Sequence, residues 1–446
     1  MSTASDLPAE GKLTGKLAIR GARVIDPAQN LDTVTDLCIA DGKLVAIGDA
    51  GFQAEREIDA RGLVACPGLV DISVSLKKPG AEHSRGMIRE LSAAAAGGVT
   101  HVVCPPDTFP IADSTAVVRQ MHETASAARR SWVWVIGAMT QGLGGEQLAD
   151  MAALKQAGCV AVSNRRRPLA SNQVLRRALE YAATFDLAVV FHPEDADLAG
   201  GGCAHEGSIA TRLGLPGIPA MAETVAVARD LELVAHTGVR AHFAHLSTAG
   251  AVRMIADARR SGVKVTADVA VHQLLLTEDA IEGFNALAHV RPPLRTLRDR
   301  EALRQAVADG VVDAVCSDHQ PCESADKLAP FPSSRPGISG TETLLPLTLR
   351  LVSEGVMTLP QAIAALSFRA AGCFGIAGGS LRVNERADLC LFDPAADYTL
   401  AADGPDAMVS AGRNTPFLGE QLTGRVLFTL LGNRVLHSRR SQNQSE

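Results

Sequence analysis

Two histidines and one aspartate stand where the sequence indicates strand ends, and side chains of these types can bind a metal. His192 and His245 each lie at or near the end of a short apolar run, and Asp318 ends a third run. A single buried histidine is more often a hydrogen-bonded polar residue than a ligand. Three such groups on three separate strands favour a site for a zinc-like cation, because zinc accepts imidazole and carboxylate ligands.

The segments that must position these groups alternate between apolar strands and helices. Eight strand candidates cover residues 69–76, 99–105, 132–139, 159–164, 187–192, 239–246, 263–270 and 314–318. Stretches of helical composition cover residues 114–130, 171–183, 222–237 and 249–261. Near-continuous apolar strands flanked by helices indicate a parallel sheet covered on both faces. We therefore predict an α/β fold, a (β/α)8 TIM barrel with its chemistry at the carboxyl ends of the strands. A doubly wound open sheet is the alternative, although no G-x-G-x-x-G follows the first strand.

The two ends of the chain share a different texture of short V/I/L-rich runs broken by turn signals. These runs cover residues 17–27, 36–48, 57–66, 387–393 and 424–435. The pattern predicts a small β-sandwich domain built from both chain ends. We expect its N-terminal part at residues 1–66, the barrel at 67–374 and its C-terminal part at 375–446.

Composition and charge exclude several classes of protein. The 446 residues are 46% hydrophobic and 21% charged, which is too apolar for a disordered chain. A formal charge of −6 offers no attraction for nucleic acid, and the arginine run at 165–167 is typical of solvated surface. The start has no signal-peptide pattern, no apolar stretch reaches the roughly 20 residues that span a bilayer, and the nine cysteines are unpatterned. We expect a cytoplasmic protein that binds neither membranes nor nucleic acid.

Eight motifs, in order, resemble the dihydroorotases of the amidohydrolase superfamily over nearly the whole chain. They are PGLVD at 67–71, GGVT at 97–100, FHPED at 191–195, AHLST at 244–248, PPLR at 292–295, SDHQP at 317–321, GISGTE at 337–342 and NTPF at 414–417. In active members, the resemblance implies metal-assisted hydrolysis of a cyclic amide, in which the metal polarises the carbonyl and activates water.

The metal-ligand positions of that family are altered in this chain. The family's first barrel strand ends in His-x-His, where this chain has Ser73 and Ser75, and a hydroxyl is a poor zinc ligand. Active relatives carry a Ser-Asp-Asp-Gly stretch after the fourth strand, where this chain has Asn164 and Arg165. Arginine stays protonated near neutral pH and would repel a cation. We therefore interpret these four residues as degenerate ligand positions.

Three of the family's functional groups are retained. By the resemblance, His192 and His245 match metal-binding histidines, and Asp318 matches the catalytic carboxylate that acts as general base. Two imidazoles without a bridging ligand fall short of the three protein ligands usual for catalytic zinc. We therefore expect a vestigial half-site that holds no metal, a vestigial general base and no cofactor.

Two positions of the family's substrate pocket also differ. The arginine that grips a substrate carboxylate corresponds to Lys77, which offers only a point charge. An asparagine of the pocket corresponds to Asp107, whose carboxylate would oppose an anionic substrate. These changes reinforce the interpretation of a degenerate site.

The losses together predict a pseudoenzyme rather than an enzyme. The resemblance is closest to the inactive homologues that some bacteria pair with aspartate carbamoyltransferase in de novo pyrimidine (UMP) biosynthesis. In those assemblies the dihydroorotase-like chain holds the carbamoyltransferase together. The resemblance therefore implies self-association and a large hetero-oligomer with the catalytic chain of aspartate carbamoyltransferase.

Two alternatives remain open. The chain could be an active zinc-dependent cyclic amidohydrolase with a reduced metal site at His192 and His245, Asp318 as general base and Cys104 or Asp107 as third ligand. Chelator-sensitive turnover would distinguish that alternative. The chain could instead bind a pyrimidine intermediate in the old pocket, which the retained loops at 285–295 and 337–342 suggest.

Overall fold

The computed structural model describes residues 7–48, 51–76 and 84–439, with only the backbone at 84 and 85. The strands are β1 (Gly11–Lys12), β2 (Leu17–Asp26), β3 (Leu31–Ala40), β4 (Lys43–Ile47), β5 (Arg56–Asp59), β6 (Val64–Pro67), β7 (Leu69–Asp71), β8 (Val99–Cys104), β9 (Trp132–Ala138), β10 (Cys159–Ser163), β11 (Ala188–Phe191), β12 (Ala204–His205), β13 (Gly217–Ile218), β14 (Ala241–Phe243), β15 (Val265–Ala270), β16 (Ala314–Cys316), β17 (Asp388–Thr399), β18 (Gln421–Leu431) and β19 (Arg434–Ser438). The α-helices are α1 (Ser84–Ala96), α2 (Thr115–Ala128), α3 (Met151–Gln156), α4 (Asn172–Thr184), α5 (Ala196–Ala199), α6 (Ser208–Leu213), α7 (Ala220–Thr237), α8 (Ala249–Arg260), α9 (Leu297–Ala308), α10 (Leu344–Ser353), α11 (Leu359–Leu366) and α12 (Phe368–Phe374). Within the described ranges, no helix combines the length and apolarity needed to cross a membrane.

Eight parallel strands form the barrel in the order β7, β8, β9, β10, β11, β14, β15 and β16. The first and last strands meet just beyond their ends, where Val74 pairs in parallel with His319. Two backbone hydrogen bonds support this junction, from the His319 N–H to the Ser73 carbonyl at 3.0 Å and from the Ser75 N–H to the His319 carbonyl at 2.9 Å. The predicted TIM barrel and all eight strand candidates are confirmed, with the strands shorter than the apolar runs.

The four helical stretches expected from composition are confirmed as α2, α4, α7 and α8, and α4 shows why they form. The Ser171 hydroxyl accepts a hydrogen bond from the Val174 N–H at 3.2 Å and thereby caps the helix start. The buried residues of α4 are Leu175, Ala178, Leu179 and Ala182. Their spacing of three and four puts them on one face, which packs on the barrel.

A second sheet joins the two ends of the chain. Its strand order is β1, β19, β18, β17, β6, β2, β3 and β4, with β5 paired to β2. Two antiparallel pairs link the ends, β1 with β19 and β6 with β17, and in the second pair Cys66 faces Cys390. The predicted β-domain built from both chain ends is therefore confirmed. The boundaries at residues 66 and 374 stay predictions.

Candidate active site

The side chains singled out in the sequence gather at the carboxyl ends of the barrel strands. Ser73 follows β7, Arg165 follows β10, His192 follows β11, His245 follows β14 and Asp318 follows β16. Arg165, His245 and Asp318 have positive φ angles of 53°, 57° and 43°. A left-handed backbone costs a non-glycine residue roughly 1–2 kcal/mol, and such strain concentrates at functional sites. The backbone therefore has the strained geometry of a functional site, whatever chemistry remains there.

Arg165 contacts the first of the two predicted histidines. Its side chain is 8% exposed, its Nε lies 3.1 Å from Asp107 Oδ1, and its Nη1 lies 2.8 Å from His192 Nε2. A guanidinium can only donate, so His192 Nε2 accepts and the imidazole proton lies on Nδ1. Burial, and then the charge of Arg165, holds the pKa of His192 well below its ordinary value. His192 is therefore neutral at neutral pH, and its basic nitrogen is already bonded.

Arg166 contacts the second histidine in the same way. Its Nη2 lies 3.2 Å from His245 Nδ1, so the proton of that ring lies on Nε2. Nε2 faces Asp318 Oδ1 at 3.6 Å and Asp268 Oδ1 at 4.0 Å. The rings of His192 and His245 meet edge to face with centroids 5.1 Å apart. Burial lowers the pKa of His245 as well, so both imidazoles are neutral.

The interpretation of the arginine run as solvated surface is wrong for Arg165 and Arg166, because both reach the histidines. Arg166 was not among the predicted site residues. The signal that could have identified it is its position just beyond β10, where barrel side chains enter the mouth. A run of arginines in the sequence gives no such information by itself.

Asp318 is held among hydrogen-bond donors and positive charges. Its Oδ1 accepts from the Ser73 hydroxyl at 3.3 Å and from Gln320 Nε2 at 2.9 Å. Burial opposes ionisation, but His245, Arg166 and Arg165 together hold the pKa of this carboxyl well below its usual range. Asp318 is therefore a stable anion, and Ser73 has become a donor to it.

The remaining predicted positions lie around this centre. Ser75 is buried beside the strand junction, and Asp107 is 39% exposed at the rim. Asn164 fixes the arginine loop, because its Oδ1 accepts from the Thr140 hydroxyl at 2.6 Å and its Nδ2 donates to the carbonyl of residue 167 at 3.0 Å. Lys77 lies outside the described residues.

A layer below the mouth contains polar groups that the sequence did not predict. Asp268 accepts hydrogen bonds from the His245 N–H at 2.9 Å, from the Cys316 thiol at 3.3 Å and from His242 Nε2 at 2.8 Å. One ligand atom each from His245, Asp268 and Cys316 lies within 4.8 Å of the others. This trio is therefore a candidate metal cluster as well as a hydrogen-bond network.

The donor set at the mouth does not fit the bridged metal site that the resemblance implies. Both imidazole acceptor nitrogens, His192 Nε2 and His245 Nδ1, are bonded to guanidiniums, and serine hydroxyls stand at two ligand positions. The guanidiniums of Arg165 and Arg166 also place two fixed positive charges at the mouth, and these charges would repel a metal cation. The deeper trio would need the Cys316 thiol to lose its proton, and burial raises the pKa of that thiol well above its ordinary value. The expectation of no cofactor is not supported, because this trio offers three donors of suitable type.

Comparisons with known proteins agree on one family. The family model described as dihydro-orotase-like matches residues 62–251. A "Dihydroorotase-like protein" of Pseudomonas aeruginosa is 52% identical over 423 residues, covering 94% of this chain and 99% of the relative. A "Dihydroorotase" of Syntrophotalea carbinolica is 43% identical over 423 residues, covering 95% and 99%.

Solved structures share the fold. The L-hydantoinase (dihydropyrimidinase) of Arthrobacter aurescens superposes with a TM-score of 0.85 at 24% identity, covering 97% of this chain and 98% of that one. A D-hydantoinase superposes with a TM-score of 0.82 at 22% identity, covering 96% of each chain. At these identities the likeness extends to the architecture alone.

Proposed function

The chain belongs to the dihydroorotase-like family of amidohydrolases, and from this premise we propose that it is a non-catalytic member. In this proposal it is a subunit that supports assembly of aspartate carbamoyltransferase in de novo pyrimidine biosynthesis. The observation that supports the non-catalytic part of the proposal is the pair of guanidinium contacts, Arg165 to His192 and Arg166 to His245.

These contacts remove two requirements of the family's reaction. Hydrolysis of a cyclic amide needs a metal that polarises the carbonyl and activates water, and the guanidiniums bond the nitrogens that would hold it. A general base also needs a pKa near the working pH. The positive charges around Asp318 hold the pKa of its carboxyl far below that range. Asp318 is therefore a poor base even if water reaches it.

The partner in the proposal rests on the resemblance to the inactive homologues that accompany aspartate carbamoyltransferase. One related observation supports the non-catalytic half. The relative at 52% identity is named "Dihydroorotase-like protein", whereas the relative at 43% is named "Dihydroorotase". The name of the more similar relative makes no claim of dihydroorotase activity.

The first experiment measures hydrolysis of dihydroorotate and cyclisation of carbamoyl aspartate by the purified chain, with zinc supplied and after chelation. We expect no turnover in either direction, because no metal-activated water forms at the mouth. An authentic dihydroorotase assayed beside it serves as positive control. Chelator-sensitive turnover by this chain would overturn the proposal.

The second experiment tests the partner. The aspartate carbamoyltransferase catalytic chain of the source organism is expressed with and without this chain, and both preparations are sized and assayed. We expect a large complex and full carbamoyltransferase activity only when both chains are present. A fully active carbamoyltransferase that neither needs nor binds this chain would refute the assembly role and leave the non-catalytic role standing.

A second candidate function, a cyclic amidohydrolase with a reduced metal site, is favoured by the trio of His245, Asp268 and Cys316. If this function is correct, the natural chain binds a metal and turns over a cyclic amide, and the Cys316→Ser variant loses both properties. Metal content without turnover would count against it, because the bound ion would then be structural.

A further inference from the structure

A crevice of about 840 Å³ opens at the amino ends of the barrel strands, on the opposite side of the barrel from the arginine mouth. Trp132 and Trp134 of β9 form one wall, and the loop that leads from α12 to β17 forms the other. This volume falls within the range of about 300–1,000 Å³ that small-molecule sites occupy. The chain has only two tryptophans, and both line this crevice.

Trp132 contacts an arginine and is still partly exposed. Trp132 is 44% exposed, although its side chain is large and apolar. The guanidinium of Arg386 lies over one face, 4.7 Å from the ring centroid, and Arg386 Nε is in turn bonded to Asp388 at 2.8 Å. The Arg386 cation therefore covers one face, and the exposed part of Trp132 can stack with a ligand.

Trp134 adds an unused hydrogen-bond donor. Its ring stacks on His101 with centroids 6.3 Å apart and planes inclined by 12°. Its Nε1 is buried and has no hydrogen-bond acceptor among the described residues. A buried indole N–H usually has a partner, because leaving it unpaired is destabilising.

The charges along the crevice balance. Arg382 and Arg386 are matched by Glu385 and Asp388. Burial, and then the charge of Arg386, lowers the pKa of His101 to about 3, so this ring is neutral. A crevice with this balance gives no net attraction to an ion of either sign.

We propose that this crevice binds an uncharged planar heteroaromatic ligand of nucleoside size. The ring stacks on the exposed part of Trp132. The Trp134 N–H is not open to solvent, so the ligand displaces the crevice wall locally and brings an acceptor atom to that donor. Stacking on indole is tolerant of ring type, because every base has a π face, whereas the single donor selects ligands with an acceptor. This site is independent of the mouth and of the function proposed for it.

Tryptophan fluorescence tests the proposal, because both tryptophans of the chain line the crevice and the whole tryptophan signal therefore comes from there. Uridine and adenosine are titrated separately under excitation selective for tryptophan, and equilibrium dialysis measures the same affinities directly. We expect saturable quenching by at least one nucleoside. Trp134→Phe keeps the ring and removes the donor, and should weaken binding about fivefold. Trp132→Leu should weaken it at least about fivefold through lost stacking.

Leu328→Ala is the matched control, because Leu328 is 84% exposed in the loop after the last barrel strand, at the other end of the barrel. It should leave affinity within about twofold, since it touches nothing in the crevice. Thermal melting checks that each variant folds, and the exposed Trp132 position keeps the test valid if Trp134→Phe destabilises the core. Absence of saturable binding by both nucleosides, or binding by both tryptophan variants that is as tight as binding by the natural chain, would refute the site. Uridine monophosphate binding more than about tenfold tighter than uridine would refute its preference for an uncharged ligand.

Discussion

Replacement of Arg165 and Arg166 by methionine should convert the barrel mouth into a zinc-binding site. Methionine keeps an unbranched apolar stem and removes the guanidinium, so each imidazole regains an unoccupied nitrogen. His192 and His245 already lie with ring centroids 5.1 Å apart, and Asp318 Oδ1 is 3.6 Å from His245 Nε2, which can accept a metal once the ring proton moves to the freed Nδ1. Two imidazoles and one carboxylate make the three protein ligands that a catalytic zinc site usually has.

The size of the effect follows from the two contacts that are removed. A hydrogen bond to a charged group contributes about 1.5–3 kcal/mol, so freeing both nitrogens in the natural protein costs about 3–6 kcal/mol. That cost alone lowers zinc affinity by about 10² to 10⁴. Repulsion between zinc and two buried guanidiniums adds to it. We therefore expect the double variant to bind zinc at least about 100-fold more tightly than the natural chain.

Competition with a chromophoric chelator measures both affinities under the same conditions. A variant that also carries His192→Gln and His245→Gln is the matched control, and it should return to the weak affinity of the natural chain. Equal zinc affinity in the natural chain and the double methionine variant would show that the guanidiniums do not exclude the metal. The electrostatic argument for a non-catalytic site would then fail.

Three further predictions concern the same region. Ser73→His with Ser75→His should not restore dihydroorotate hydrolysis in a zinc-supplemented assay, because the guanidiniums still bond the other two imidazoles; measurable activity would show that the serines alone silence the site. Asp318→Asn should lower the free energy of unfolding at neutral pH by about 3 kcal/mol. The folded pKa of Asp318 lies well below the unfolded value near 4, so urea denaturation should show this difference shrinking progressively as pH falls below about 4, towards the folded pKa. A pH-independent difference would contradict the assigned charge. Glu223→Gln should lower the free energy of unfolding by about 2–4 kcal/mol in the same assay, because the buried Glu223 carboxylate accepts hydrogen bonds from four donors in the loop that follows His245. A decrease below about 0.5 kcal/mol would show that these hydrogen bonds do not stabilise the loop.

The fold was largely readable from the sequence because its elements have strong local signals. The apolar runs that became β8 and β15 are bounded by turn residues, and helices such as α4 have caps and one apolar face. The sequence pattern overestimates the length of the strands, as at β7, which ends at Asp71 although the predicted strand extends to residue 76. Beyond Asp71 the backbone forms only the isolated bridge between Val74 and His319, and Val74 and Leu76 pack in the core.

The site was readable only in part, because its chemistry depends on contacts between distant loops. The sequence placed His192, His245 and Asp318 at the mouth, and it indicated that the metal ligands had changed. It could not show that Arg166 bonds His245 or that Asp268 gathers three donors, since neither pairing leaves a local pattern. The crevice at Trp132 is also a non-local product, because its second wall comes from residues more than 200 positions later.

The sheet that joins both chain ends has a consequence for how the protein is made. Strand β6 leaves the ribosome long before β17, and the two are neighbours in the finished sheet. The first five strands that emerge after β1 can pair among themselves, but the edge of β6 that β17 occupies stays open while the whole barrel is synthesised. An open strand edge is a surface for unwanted pairing with other chains. Translation of the final segment, from β17 onward, is therefore the step that both completes the domain and ends this exposure.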